Sequence, residues 1–163
     1  MGRLIARAFW SPKRDAAPTE WEDACAYSEG RGLFAVADGA SSSYRARDWA
    51  MALVDGFLAT PPARLDEAAV RAWIDGLAEQ WSGLAAPKTR NDAWYVDEVS
   101  RRGAFATFLG LKLTRRRTGA DWSATAIGDS CLFHLRHNLL LTAFPLTHPS
   151  QFTLTPALVP TET

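Results

Sequence analysis

Leu33-Phe34-Ala35-Val36-Ala37-Asp38-Gly39-Ala40-Ser41-Ser42-Ser43 is the stretch on which the reading of this chain turns. Five apolar residues in succession, aromatic and β-branched types among them, predict a strand buried on both faces. The run stops at a carboxylate, a glycine and three hydroxyls. A carboxylate at the mouth of a buried strand costs free energy unless something pairs with it. The glycine lets the backbone turn and expose its carbonyl. Side-chain and backbone oxygens together suit a hard cation. Asp-Gly is also a common turn dipeptide, so Asp38 taken alone reads more simply as a turn or cap residue, with Gly39 serving the turn.

Upstream, Arg3 to Trp10 alternate loosely and predict a first strand, which Ser11-Pro12 ends. Glu20 to Tyr27 predict a short strand entered through Glu20, Glu22 and Asp23, and Ser28 to Gly32 form a hairpin connection into the central strand. Antiparallel pairing across that connection can bring Glu22 or Asp23 beside Asp38 at one sheet edge. A solvated acidic turn is the plainer reading of the same residues.

Downstream the period changes. Ser41 to Ser43 can supply an N-cap, and Trp49, Ala50, Leu53, Val54, Phe57 and Leu58 fall on one helix face that Thr60-Pro61-Pro62 stops. A second helix is predicted from Asp66 to Trp81, with Val70, Trp73, Ile74, Leu77 and Trp81 inward and Gly83 as its stop. Trp94 to Arg102 predict a short third helix. Ala104 to Leu113 and Asp121 to Ile127 then read as partner strands around the basic turn Arg115-Arg116-Arg117-Thr118-Gly119, a solvated hairpin tip. Gly128-Asp129-Ser130 is a second tight turn carrying a carboxylate. Cys131 to Arg136 and Leu139 to Thr142 form a hairpin about His137-Asn138, where Asn tolerates positive φ. The tail from Phe144 is proline-rich and shows no periodicity.

Composition narrows the classes. A chain of 163 residues fits one domain. Lys+Arg and Asp+Glu number 18 each, so no net field draws nucleic acid or an anionic membrane. Seven tryptophans point to a core with large aromatic anchors. Cys25 and Cys131 are isolated and read as buried, reduced thiols of a cytosolic protein. The N-terminus lacks the apolar region of a signal peptide and no apolar stretch is long enough to span a bilayer, so the expected address is the cytoplasm. No glycine-rich dinucleotide loop or paired-cysteine metal motif occurs, and Ser130, His134 and Asp129 lack the nucleophile elbow of a serine hydrolase. His134, His137 and His148 are assigned structural roles.

Strands, two long helices and strands again predict an α+β layered domain of antiparallel sheet with helices packed outside. Four segments in order, Glu22-Asp23-Ala24, Val36-Ala37-Asp38-Gly39, Gly103 to Gly110, and Ala126-Ile127-Gly128-Asp129-Ser130, resemble the metal-dependent serine/threonine protein phosphatases of the 2C type. Asp-Gly-Ala-Ser-Ser-Ser followed by a Trp-Ala helix is similar to a bacterial branch of that family. The resemblance runs from about Ala6 to Pro160. It implies an αββα sandwich with a binuclear Mg or Mn site at one edge, acting on phosphoserine and phosphothreonine in signalling phosphoproteins through metal-activated water. It implies Glu22 and Asp38 as the catalytic carboxylates, with Glu22, Asp23, Asp38, the Gly39 carbonyl and Asp129 as metal ligands. The chemistry is intelligible in itself: two divalent ions can acidify water and offset charge on a phosphoryl group, and oxygen donors select Mg or Mn over zinc.

The departures carry their own expectations. The arginine that often precedes the Glu-Asp pair falls at Pro18, leaving Lys13 or Arg14 as substitutes for phosphate binding. Where some members have a histidine after Asp-Gly, this chain has Ala40. After Asp129 the only acidic residue is Glu162, whereas the family completes its metal pair with later aspartates. The chain is therefore expected to be the N-terminal portion of a single phosphatase-like domain spanning residues 1–163, incomplete at its C-terminal side. Its open edges are expected to pair with a missing C-terminal segment or another chain. The alternative function is a catalytically inactive binding or regulatory domain that keeps the fold without the late ligands.

Overall fold

The computed structural model describes residues 4–11, 21–84 and 103–161. In chain order the elements are β1 (Asp23–Ser28), β2 (Leu33–Asp38), α1 (Ala46–Ala59), α2 (Glu67–Leu84), β3 (Phe105–Ala106), β4 (Phe108–Arg116), β5 (Gly119–Ile127), β6 (Leu132–Arg136), β7 (Leu139–Phe144) and β8 (Val159–Pro160), with a 3-10 turn at Pro149–Gln151. The class is α+β, with antiparallel sheets and no barrel among the described residues. The main sheet runs β1-β2-β4-β5, and β3-β8 and β6-β7 form separate two-stranded ladders.

Alternation along β2 sorts its residues. Leu33, Ala35 and Ala37 are buried against α1, whereas Val36 is 40% exposed. Among the described residues the central strand is thus fully buried on its helix face alone, and the expectation of burial on both faces is corrected. Five apolar residues in a row do not report how many layers pack on a sheet.

The helix face holds the core. Trp49, Ala50, Leu53, Val54 and Phe57 of α1 are buried as their spacing predicts, joined by Val70, Ile74 and Ala78 of α2. Phe57, Trp73 and Phe108 form an aromatic triangle with ring centroids 5.3–6.0 Å apart, a separation at which edge-on contacts add to area burial. The Phe57 ring lies on Gly110, where a Cβ would come within 2.7 Å of it. The tail, unreadable by periodicity, closes the other end. Trp49 Nε1 donates to the Val159 carbonyl at 2.9 Å, and Ala104 exchanges hydrogen bonds with Thr161 through backbone and hydroxyl.

Several boundaries differ from expectation. Residues 4–11 form no strand: Ala6 N–H donates to Glu29 Oε1 instead of a ladder, and Phe9 is 88% exposed. The residue before α1 is Arg45 in the left-handed region with no side-chain cap, while Ser43 Oγ bonds the Ala40 carbonyl and accepts from Phe105 N–H. Ser41 to Ser43 therefore organise the turn rather than cap the helix. Helix α2 continues through Gly83 to Leu84, and its start is capped by Asp66, whose carboxylate accepts from Ala69 N–H at 3.0 Å. The single strand expected from Ala104 divides at Thr107 into β3 and β4. The hairpin turn at His137-Asn138 has Asn138 at positive φ, as expected, and His137 at positive φ as well. Cys25 is exposed and Cys131 half-buried, both free thiols, so neither is the buried core residue expected. The short helix expected at Trp94 to Arg102 lies outside the described residues.

Candidate functional site

The pairing of β1 with β2 decides where the carboxylates meet. Asp23 is the direct cross-strand partner of Asp38. Opposed residues in an antiparallel pair point to the same face with Cα atoms about 4.5–5.5 Å apart. Ala24 and Ala37, the next pair, face α1, so the two aspartates share the opposite, exposed face. Two like charges held opposite one another repel. The arrangement is stable where a cation lies between them or solvent screens them.

Glu22 and Gly39 complete the same corner. Gly39 N–H donates to the Glu22 carbonyl at 3.2 Å, and the Glu22 carboxylate accepts from Ser41 Oγ. Gly39 itself bridges to Ala106: Thr107 N–H donates to the Asp38 carbonyl and Ala40 N–H to the Phe105 carbonyl, both at 2.8 Å. The Gly39 carbonyl takes no part in these bonds. A Cβ at Gly39 would stand 2.7 Å from the Ala46 carbonyl oxygen and 2.9 Å from that of Glu22. Only a glycine allows the start of α1 to approach the end of β2 this closely.

Thr107 joins the two acidic turns. Its hydroxyl accepts from Asp38 N–H at 3.2 Å and lies 2.9 Å from Ser130 Oγ, in a residue only 2% exposed. The Asp38-Gly39 and Gly128-Asp129-Ser130 turns are therefore held to each other by a short polar chain. Its cost of burial is offset because each partner is satisfied.

These elements border a cleft of about 710 Å³ lined by Asp23, Asp38, Arg47, Asp55 and Ser130, with Phe9, Trp10 and Trp21 as an aromatic wall. Trp10 and Trp21 pack with centroids 5.1 Å apart, and the Arg47 guanidinium lies 5.8 Å from the Trp21 ring centre. Cys25 and Val36, paired across β1 and β2, continue the floor.

Of the residues expected at the site, Asp23 and Asp38 open into one cleft. Glu22 is bound to the same corner through Ser41 and Gly39, but it does not line the cleft. Asp129 follows the same rule: its neighbour Ser130 reaches the cleft and it does not, while its carbonyl accepts from Cys131 Sγ. Among the described residues no group of three or more His, Cys, Asp and Glu side chains converges as a metal site. Lys13 and Arg14 lie outside the described residues. The donor set lining the cleft is the two paired carboxylates; Gly39, expected to offer its carbonyl as a ligand, does not line it, and no described histidine does. Its chemistry fits a hard divalent ion such as Mg or Mn. Arg47, Trp21 and Thr107 were not singled out from the sequence. Arg47 lies outside the apolar set Trp49 to Leu58 that marked the helix, and Thr107 sat inside what looked like one uninterrupted strand.

Comparison with family models, curated proteins and solved structures finds no match to this chain. No helix among the described residues is long and apolar enough to cross a membrane.

Proposed function

We propose that this cleft binds a phosphorylated serine or threonine side chain beside a hard divalent cation and hydrolyses the phosphomonoester, in the manner of the 2C-type phosphatases that the sequence resembles. The observation that carries the reading is the direct cross-strand pairing of Asp23 with Asp38 at the mouth of an open cleft. Asp23 and Asp38 would hold Mg or Mn. The ion would supply Lewis-acid activation of water and neutralise charge on the phosphoryl group. The chain's own residues do the positioning. Thr107 fixes the backbone of Asp38 and ties it to Ser130, and Ser41 restrains Glu22. The aromatic wall gives the peptide flanking the phosphoresidue an apolar surface.

A second reading follows from the same corner. With only two of the expected ligand carboxylates opening into the cleft among the described residues, a domain that binds phosphoprotein without turning it over has a structural basis. One assay separates the two. Release of phosphate from a phosphothreonine peptide, with and without millimolar Mn, is expected to be metal-dependent in the native chain and lost in Asp38→Asn. Saturable peptide binding without release supports the binding domain, and neither binding nor release refutes both. The two free thiols agree with a reducing compartment, and the cytoplasm is the address that goes with this proposal.

A further inference from the structure

We infer that Arg47 is the phosphate anchor of the cleft, an assignment that rests on the phosphomonoester reading above. Among the described residues lining the cleft, Arg47 is the only basic one. It shares that cleft with Asp23 and Asp38, across from which a phosphoryl group beside a divalent ion would sit. A guanidinium offers a planar fork of N–H donors that matches two phosphate oxygens at once.

Its surroundings leave that fork available. The Arg47 guanidinium carbon lies over the Trp21 ring, 5.8 Å from its centre. A cation–π contact of this kind consumes no hydrogen-bond acceptor, so the N–H donors are not spent on it. It also restrains a long side chain before the ligand arrives, which lowers the ordering cost of binding. No ion pair joins Arg47 to a described carboxylate. Arg45, two residues earlier, makes the contrast: its Nε lies 2.6 Å from Asp48 Oδ2, its guanidinium lies 5.5 Å from the Trp81 ring, and it does not line the cleft. Of the two arginines at the start of α1, one is consumed by structure and the other faces the ligand space.

The sign of the local charge sets a condition. Among the described residues lining the cleft, Asp23, Asp38 and Asp55 outnumber Arg47, so a divalent ion beside the aspartates favours an anion there. Phosphate binding is therefore expected to be weak without Mg and to depend on Arg47 when Mg is present.

The test titrates O-phosphoserine into the full chain by calorimetry at fixed millimolar Mg, using the native protein and the variants Arg47→Ala, Arg47→Lys and Arg45→Ala. Arg47 is exposed, so its variants are expected to keep the native circular dichroism spectrum. Arg47→Ala is expected to weaken binding about tenfold or more, as for loss of a charged hydrogen-bond donor. Arg47→Lys should fall between, and Arg45→Ala should match the native protein. Arg47→Ala binding within twofold of native, equal loss in Arg45→Ala, or no binding by the native chain each overturns the assignment. Turnover of para-nitrophenyl phosphate with Mn is measured separately. Turnover with an unchanged KM in Arg47→Ala removes Arg47 and leaves the hydrolase reading intact. Arg47-dependent binding with no turnover retires the hydrolase reading and leaves the anchor.

Discussion

Replacing Gly39 by alanine tests whether the corner between β2 and α1 is built as described. A Cβ there would stand 2.7 Å from the Ala46 carbonyl oxygen, 2.8 Å from its carbon and 2.9 Å from the Glu22 carbonyl oxygen. All three are backbone atoms, so no side chain can rotate away, and either α1 or the chain entering β1 must shift. Overpacking of this kind costs about 1–3 kcal/mol. The shift also strains the Gly39 N–H bond to Glu22, worth about 0.5–1.5 kcal/mol. Together these give a loss of about 1.5–4.5 kcal/mol, a large part of a small domain's stability. Gly76 is the matched control. It lies inside α2, where an added Cβ would meet nothing within 4 Å, and alanine there should stabilise the helix by about 0.5–1 kcal/mol. Urea unfolding followed by fluorescence reads both, with equal m-values required for the comparison. A Gly39→Ala variant within about 0.5 kcal/mol of the native protein would refute the close approach of α1 to the site, since ordinary surface substitutions fall in that range.

Three further substitutions test other joints. Trp49→Phe removes the indole donor to the Val159 carbonyl, leaves that carbonyl buried without its partner, and should cost about 1–3 kcal/mol, with faster amide exchange at Thr161 as the local sign. Thr107→Val keeps the shape but removes the hydroxyl that accepts from Asp38 N–H and bonds Ser130 Oγ. The expected loss is about 1–3 kcal/mol in urea unfolding, and metal-dependent activity should fall with it. Phe57→Ala empties the centre of the aromatic triangle and should cost about 3–5 kcal/mol, with the thermal midpoint as the readout.

The fold was legible wherever a period was long enough to count. Trp49 to Phe57 marked the buried face of α1, and the hairpins about Gly30-Arg31 and His137-Asn138 showed through their turn residues. Where a non-local contact decided the outcome, local pattern failed. Leu4 to Trp10 alternate like a strand, yet no described neighbour offers them a ladder, and Ala6 bonds a side chain instead. Thr107 interrupts an apolar run because its hydroxyl is needed between two turns that are far apart in sequence. Val159 joins the core through Trp49, 110 residues away, which no tail periodicity could reveal. At the candidate site, hairpin logic brought Glu22 or Asp23 near Asp38, and the strand register, which the sequence left open, selects Asp23. Arg47 was not legible, because a cation on a helix looks the same in sequence whether it faces solvent or a cleft.

The most direct measurement is Mn binding by calorimetry to the native chain and to Asp38→Asn, an exposed and nearly isosteric change. Saturable binding in the native chain that weakens tenfold or more in the variant is the expected result, with Asp23→Asn behaving alike. Native protein that takes up no Mn at millimolar concentration, or an Asp38→Asn variant that binds it equally well, would contradict a cation held between the paired aspartates.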